Sequence, residues 1–71
     1  MDEESLNLQI RKFLKKLGIQ LHSEIYNSIK EKIKNGTLDG NEKLDVSVLL
    51  EVTSVELKIP INGEIKLQKI V

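Results

Sequence analysis

Four cationic side chains on one predicted helix form the cluster best suited to bind a ligand. Arg11, Lys12, Lys15 and Lys16 fall within two helical turns, and residues three and four apart share a helix face. Such a cluster can dock on phosphate groups, with Arg11 supplying a bidentate contact. A solvated helix face has the same pattern, and no aromatic side chain interleaves with the cations to stack on bases. We therefore keep both hypotheses, a partner or phosphate contact and a solvated face.

Residues for catalysis or metal binding are few. His22 is the only histidine and there is no cysteine, so a metal would have to bind His22 together with a carboxylate such as Glu24. Ser23 follows His22, but adjacent side chains diverge on a helix, and a helix cap explains this serine better. Glu51 and Glu56 flank a predicted turn as a solvated pair. We predict no catalytic, metal or cofactor-binding site and expect no enzymatic activity.

Composition narrows the class of protein. The chain has 71 residues, which suffices for one small domain, and its 11 basic and 11 acidic residues give a formal net charge of +0. A global attraction to nucleic acid or to an anionic membrane is therefore not expected. No apolar run approaches the roughly 18 residues of a spanning helix, and no signal peptide is predicted. We therefore expect a soluble protein, and because cysteine is absent we expect it in the reducing cytoplasm.

Two amphipathic helices are predicted in the first half of the chain. Residues 3–17 carry one apolar stripe at helical spacing, and Gly18 is expected to end this helix in a left-handed conformation. A second helix is predicted over residues 21–35, with its start between Leu21 and Ser23 and a stop at Asn35-Gly36. The short linker favours an antiparallel helical hairpin.

The second half alternates apolar and polar residues, as half-buried strands do. Three strands are predicted, over residues 44–53, 55–61 and 64–69, with turns at Thr53-Ser54 and Asn62-Gly63. A two-residue loop at the second turn would place charges on the apolar face, so we predict a three-residue loop over residues 61–63. Strand register thus accounts for the residues of this turn, so we expect them to have a structural role. The alternative is that Asn62 is a catalytic or ligand-binding residue.

We therefore expect an α+β fold that forms a single domain over residues 1–71. An N-terminal antiparallel two-helix hairpin packs on one face of a C-terminal three-stranded antiparallel β-meander, and the core includes Ile29 and Leu57. Leu8, on the basic side of the first helix, and Leu49, on the polar side of the first strand, depart from the pattern. Isolated exposed leucines are common; the alternative is that these two mark a partner or dimer interface.

Several segments carry a likeness to known sequences. They are Asn7 and residues 10–15 (IRKFLK), 17–19 (LGI), 24–25 (EI), 40–44 (GNEKL) and 61–67 (INGEIKL). In these segments the chain resembles a family of short uncharacterised bacterial proteins, a domain of unknown function. The resemblance spans nearly the whole chain. It supports the domain boundaries and implies no activity.

Two functions of different classes follow as expectations. The first is a small non-enzymatic interaction module that binds a protein partner or self-associates through exposed sheet edges, Leu8 and Leu49. The alternative is a nucleic-acid-associated accessory protein that uses the cationic cluster of residues 11–16. Neither hypothesis requires a cofactor or a membrane.

Overall fold

The structure is a computed structural model and describes residues 1–69. One long α-helix, α1 (Glu3–Lys34), is followed by strand β1 (Lys43–Val52), a 3₁₀ turn (Thr53–Val55) and strand β2 (Leu57–Lys66). The chain divides into two compact units, Met1–Thr37 with the helix and Leu38–Val71 with the strands. The α+β class is confirmed, whereas the two-helix hairpin and the three-stranded meander are wrong. The single-domain expectation stays a prediction.

Local hydrogen bonds define both ends of α1. The backbone N–H groups of Glu4 and Ser5 donate to the carboxylate of Asp2 at 3.0 and 3.3 Å, so Asp2 satisfies two free donors of the first turn. At the other end, Gly36 has a φ of 85°, and its N–H donates to the carbonyl of Ile33 at 3.2 Å. The predicted stop at Asn35-Gly36 is confirmed.

The predicted break at Gly18 is wrong, because Gly18 lies inside α1. A helix-interior glycine costs only about 1 kcal/mol relative to alanine. Residues 19–22 contain no proline, and Leu17, Leu21 and Ile25 keep one four-residue spacing across the supposed linker. With the apolar pattern uninterrupted, one glycine is not enough to end the helix. The two predicted helices are therefore the two halves of α1.

The strands pair antiparallel in a two-stranded sheet, from Lys43 opposite Lys66 to Val52 opposite Leu57. Residues 53–56 form the connecting turn, so the predicted turn after the first strand is confirmed. The first strand itself lies within one residue of its predicted position. Apart from Leu49, its apolar residues share one face, as the alternation predicts.

The predicted turn at Asn62-Gly63 is wrong. Both residues lie inside β2, where Asn62 pairs with Ser47 and Gly63 with Val46. The odd-numbered positions of residues 57–67 are apolar except for Gly63. This alternation, which excluded a two-residue loop, is equally compatible with one strand that has no turn. A continuous β2 forms ten cross-strand pairs with β1, which a turn would interrupt. The predicted second and third strands are thus largely one strand.

Pro60 occupies a position of β2 that tolerates a missing N–H. The N–H of Leu67 donates to the carbonyl of Glu42 at 2.8 Å, and hydrogen-bonded pairs alternate with non-hydrogen-bonded pairs along an antiparallel ladder. Counting from that bond, Pro60 and Leu49 form a non-hydrogen-bonded pair. The proline nitrogen therefore faces the outer edge of β2, where it disfavours the addition of another strand.

No hydrophobic side chain within residues 1–69 is buried. The predicted core is therefore wrong: Ile29 is only half-buried and Leu57 is 40% exposed. The physical reason lies in the elements themselves. A single helix has no second helix beside it in its unit, and a two-stranded ribbon has no further layer of its own, so neither unit encloses its apolar side.

Glu56 supplies a stability prediction. Its backbone is left-handed, with φ 53° and ψ 39°, a conformation that disfavours residues with a β-carbon. We expect Glu56→Gly to raise the free energy of unfolding of the hairpin by about 0.5–1 kcal/mol relative to Glu56→Ala, which keeps the β-carbon. Urea denaturation followed by the NMR amide signals of β1 and β2 measures this difference. Equal stability of the two variants would contradict it.

Candidate interaction surfaces

The cationic patch of Arg11, Lys12, Lys15 and Lys16 lies on one side of α1. All four side chains are exposed, and neither ion pair found within residues 1–69 involves them. Leu8 lies three residues before Arg11 and is 48% exposed, so helical spacing places it in the patch. Ile19, four residues after Lys15, adds a second exposed apolar side chain. The patch is therefore cationic and partly apolar.

An aromatic ladder continues along α1 beyond the patch. The rings of His22 and Tyr26 lie nearly parallel, with centroids 6.4 Å apart and an interplanar angle of 10°. The Nζ of Lys30 lies 5.7 Å from the Tyr26 centroid, within range of a cation–π contact. Four-residue spacing stacks these three side chains on one side of the helix.

The main apolar surface of α1, here called the helix stripe, runs over residues 6–25. Its members recur three or four residues apart and are half-buried or exposed. They are Leu6, Ile10, Phe13, Leu14, Leu17, Leu21 and Ile25. Because such spacing keeps side chains on one face, the stripe is a continuous apolar surface.

The hairpin has an apolar face, here called the hairpin face. It is built from cross-strand pairs in which both residues are apolar, and none is buried. These pairs are Leu44 with Ile65, Val48 with Ile61, Leu50 with Ile59, and Val52 with Leu57. Gly63 lies opposite Val46 on the same face and leaves a gap in it. A Cβ at Gly63 would have no neighbour within 4 Å.

The opposite face of the hairpin is mostly polar and contains Leu49. This leucine is 57% exposed and lies opposite Pro60, so its direct cross-strand neighbour is apolar. The Nζ of Lys43 lies 3.7 Å from a carboxylate oxygen of Glu64, a diagonal pair across the strands. Leu49 is thus an isolated apolar side chain among polar residues, as predicted from sequence. Whether Leu8 or Leu49 is an interface residue stays a prediction.

The Glu42 carboxylate organises the loop before β1. It accepts hydrogen bonds from the N–H groups of Asp39, Gly40 and Asn41, at 2.6, 2.9 and 3.1 Å. These bonds favour the charged form, and the one from Asp39 contributes most to holding the pKa of Glu42 below its ordinary value of 4.5. A concave set of backbone donors of this kind binds anions. Here the chain's own carboxylate occupies it.

The candidate catalytic residues have ordinary structural surroundings. His22 stacks on Tyr26, and Ser23 accepts a long hydrogen bond of 3.5 Å from the side-chain amide of Asn27. Asn62 lies inside β2. Within residues 1–69, no three His, Cys, Asp or Glu side chains are grouped to hold a metal ion. Over the same residues, no helix has the length and apolarity needed to cross a membrane.

Comparison with known proteins places the chain in a family. Residues 1–68 match DUF6494, described as a family of unknown function. The chain belongs to this family. No curated protein and no solved structure matches it. The predicted resemblance to a domain of unknown function is thereby confirmed, and the DUF6494 match adds no catalytic, metal or partner residue.

Two features of this DUF6494 chain were not predicted from its sequence. The ladder of His22, Tyr26 and Lys30 was detectable from its four-residue spacing, once a continuous helix was assumed. The role of Glu42 was not detectable from the sequence, because three consecutive N–H groups converge on one carboxylate only in a particular loop conformation. The exposure of Leu8, the cationic patch and Leu49 agrees with the prediction.

Glu42 supplies a prediction about pH. A lowered pKa in the folded state means that the carboxylate stabilises the loop fully above pH 4.5, and that this contribution is lost as the pH falls through the lowered value. We expect the NMR amide proton shifts of Asp39, Gly40 and Asn41 to titrate together with a midpoint below 4.5. Glu42→Gln, which has no titrating group, should abolish the transition. A midpoint at or above 4.5 would contradict the assignment.

Proposed function

We propose that this protein is a small non-enzymatic interaction module, whose apolar surfaces are covered by another protein chain or by a second copy of itself. One observation carries the proposal: the helix stripe is continuous, the hairpin face is interrupted only at Gly63, and neither contains a buried side chain. Contiguous exposed apolar surfaces mark interaction sites in proteins. Single exposed leucines do not carry the same weight.

Energetics support the same proposal. Most helical stability in proteins comes from packing an amphipathic face, and an isolated two-stranded hairpin is marginal in water. Covering the exposed half of each stripe side chain would contribute on the order of 1 kcal/mol. Several such contributions compare with the whole stability of a small domain, about 5 kcal/mol. Association is therefore the physical means by which both units gain stability.

The proposed location is the cytoplasm. The chain contains no cysteine, so it needs no oxidising compartment for disulfide formation.

Two leucines with similar exposure, one inside the stripe and one outside it, test the role of the stripe. Leu14 belongs to the stripe and is 52% exposed, whereas Leu8 lies in the cationic patch and is 48% exposed. We expect Leu14→Glu to weaken association by at least about 2 kcal/mol, because a charge would enter the covered surface. Leu8→Glu is the matched comparison: it should leave association nearly unchanged if the stripe is the covered surface, and should weaken association if Leu8 is the interface residue. The measurement is the sedimentation of fluorescently labelled chain, both purified and in lysate of its own cells.

The outcomes separate the alternatives. If the unmodified chain sediments faster than a monomer, and if this faster sedimentation is lost in Leu14→Glu but retained in Leu8→Glu, the interaction module is supported. If both variants lose association equally, the contact is not specific to the helix stripe, and the proposed location of the contact on α1 is wrong. A monomer in both the purified sample and the lysate would overturn the proposal.

A second candidate function is association with nucleic acid through the cationic patch. It is favoured by four exposed cations on one helix side, outside both ion pairs of residues 1–69. Counterion release would then make affinity fall with salt. The net charge of +0 gives no long-range attraction, so this function ranks second.

Charge reversal tests this second function. We expect Arg11→Glu combined with Lys15→Glu to lower affinity for duplex DNA and to reduce the salt slope by about 0.9 per lost phosphate contact. Lys30→Glu combined with Lys34→Glu makes the same charge change at the same spacing outside the patch. Fluorescence anisotropy of a labelled oligonucleotide at several salt concentrations measures both variants. Equal effects of the two double variants, or no binding by the unmodified chain, would remove nucleic acid as a partner.

A further inference from the structure

The helix stripe repeats every eleven residues. Leu6, Ile10 and Leu14 are followed eleven residues later by Leu17, Leu21 and Ile25. Three turns of α-helix contain about 10.8 residues, so an eleven-residue repeat drifts by about 20° around the axis and favours a right-handed winding of paired helices. Residues 6–25 thus form an apolar seam about 29 Å long. A seam with this small drift can lie along a second helix.

Gly18 lies beside this seam, at the middle of α1. Fifteen residues of the helix precede it and sixteen follow it, and it is four residues after Leu14 and three before Leu21, on the stripe side. A Cβ at Gly18 would meet nothing within 4 Å, so the surrounding chain does not require a glycine. Glycine permits close approach of another backbone. Gly18 is therefore the point of α1 where a partner helix can come nearest.

Charges along α1 indicate the direction of that partner. The first turn contains Glu3 and Glu4 and the last turn Lys32 and Lys34. Two parallel copies would place like charges side by side. Two antiparallel copies crossing at Gly18 would bring residue i level with residue 36 − i of the other copy. Glu4 is then level with Lys32 of the other copy.

We infer that the helix stripe binds a second copy of itself, with the two α1 helices antiparallel and crossing at Gly18. This inference rests on the proposed function and names the partner of the stripe. The arrangement has a two-fold axis through the crossing point, which is the symmetry of most homodimers. Apolar residues line the contact, Gly18 allows close approach where the helices cross, and the acidic first turn of each helix lies level with the basic last turn of the other.

Two serines allow the direction of the helices to be measured. Ser5 and Ser23 are both exposed, and their eighteen-residue separation is five helical turns, so they lie on the same side of α1. The chain has no cysteine, so Ser5→Cys or Ser23→Cys provides a unique attachment point for a spin label. In the proposed dimer the two Ser5 labels are separated by about 39 Å along the axis, and the two Ser23 labels by about 15 Å.

Pulsed dipolar spectroscopy on the full chain measures both distances. We expect a long distance from position 5 and a clearly shorter one from position 23. Equal short distances would indicate parallel helices and overturn the inference. A purified chain without dipolar coupling that sediments as a monomer would also overturn it. If the same chain forms a larger, Leu14-dependent complex in lysate, the interaction module stands with a different partner; if it does not, both proposals fail.

Gly18→Leu provides an independent test. Leucine is a better helix former than glycine, so circular dichroism should show equal or greater helix content. The dimer dissociation constant should nevertheless rise about tenfold or more, because the larger side chain separates the crossing backbones. Gln9→Leu, a substitution on exposed helix surface outside the stripe, is the control. Tighter or unchanged association in Gly18→Leu would contradict the crossing point.

Discussion

Hydrophobic side chains of this protein lie on two surfaces, the helix stripe and the hairpin face, and within residues 1–69 none is buried. Apolar burial is the dominant favourable contribution to folding, so these two surfaces are where further burial would add the most stability. A 32-residue helix and a two-stranded ribbon each have a single apolar side and nothing of their own unit behind it. Each unit is thus a well-formed element with one apolar side.

Local polar interactions define the elements without any such cover. Asp2 caps the start of α1, Gly36 ends it in a left-handed conformation, and Glu42 gathers three backbone N–H groups before β1. Pro60 limits strand addition at the outer edge of β2. These interactions fix where elements begin and end. They contribute little to the free energy of folding, because exposed hydrogen bonds are only modestly stabilising.

The features of α1 are mutually consistent with a symmetric contact. The eleven-residue repeat keeps the stripe on one side of the helix, Gly18 lies at the middle of the helix, and the charges at the two ends have opposite signs. Each feature alone has an ordinary explanation: the terminal charges complement the helix dipole, and a single glycine is tolerated in a helix. Together they match the needs of an antiparallel pair. The cationic patch lies on another side of the helix and is free to serve a separate contact.

The sequence by itself determined the features that depend on spacing and on local chemistry. It predicted the α+β class, the stop at Asn35-Gly36, the first strand, the turn after Val52 and the exposed positions of the cationic patch and Leu49. The unbroken apolar spacing across Gly18 already favoured one continuous helix, although the glycine itself predicted a stop. The sequence could not determine continuity at Asn62-Gly63, because this is a permissive site at which a chain either turns or continues. The outcome at Asn62-Gly63 depended on tertiary structure: ten cross-strand pairs along β1 favour a straight β2 over a turn. The convergence of three N–H groups on Glu42 was likewise decided in three dimensions, since it requires a loop conformation that no residue spacing specifies.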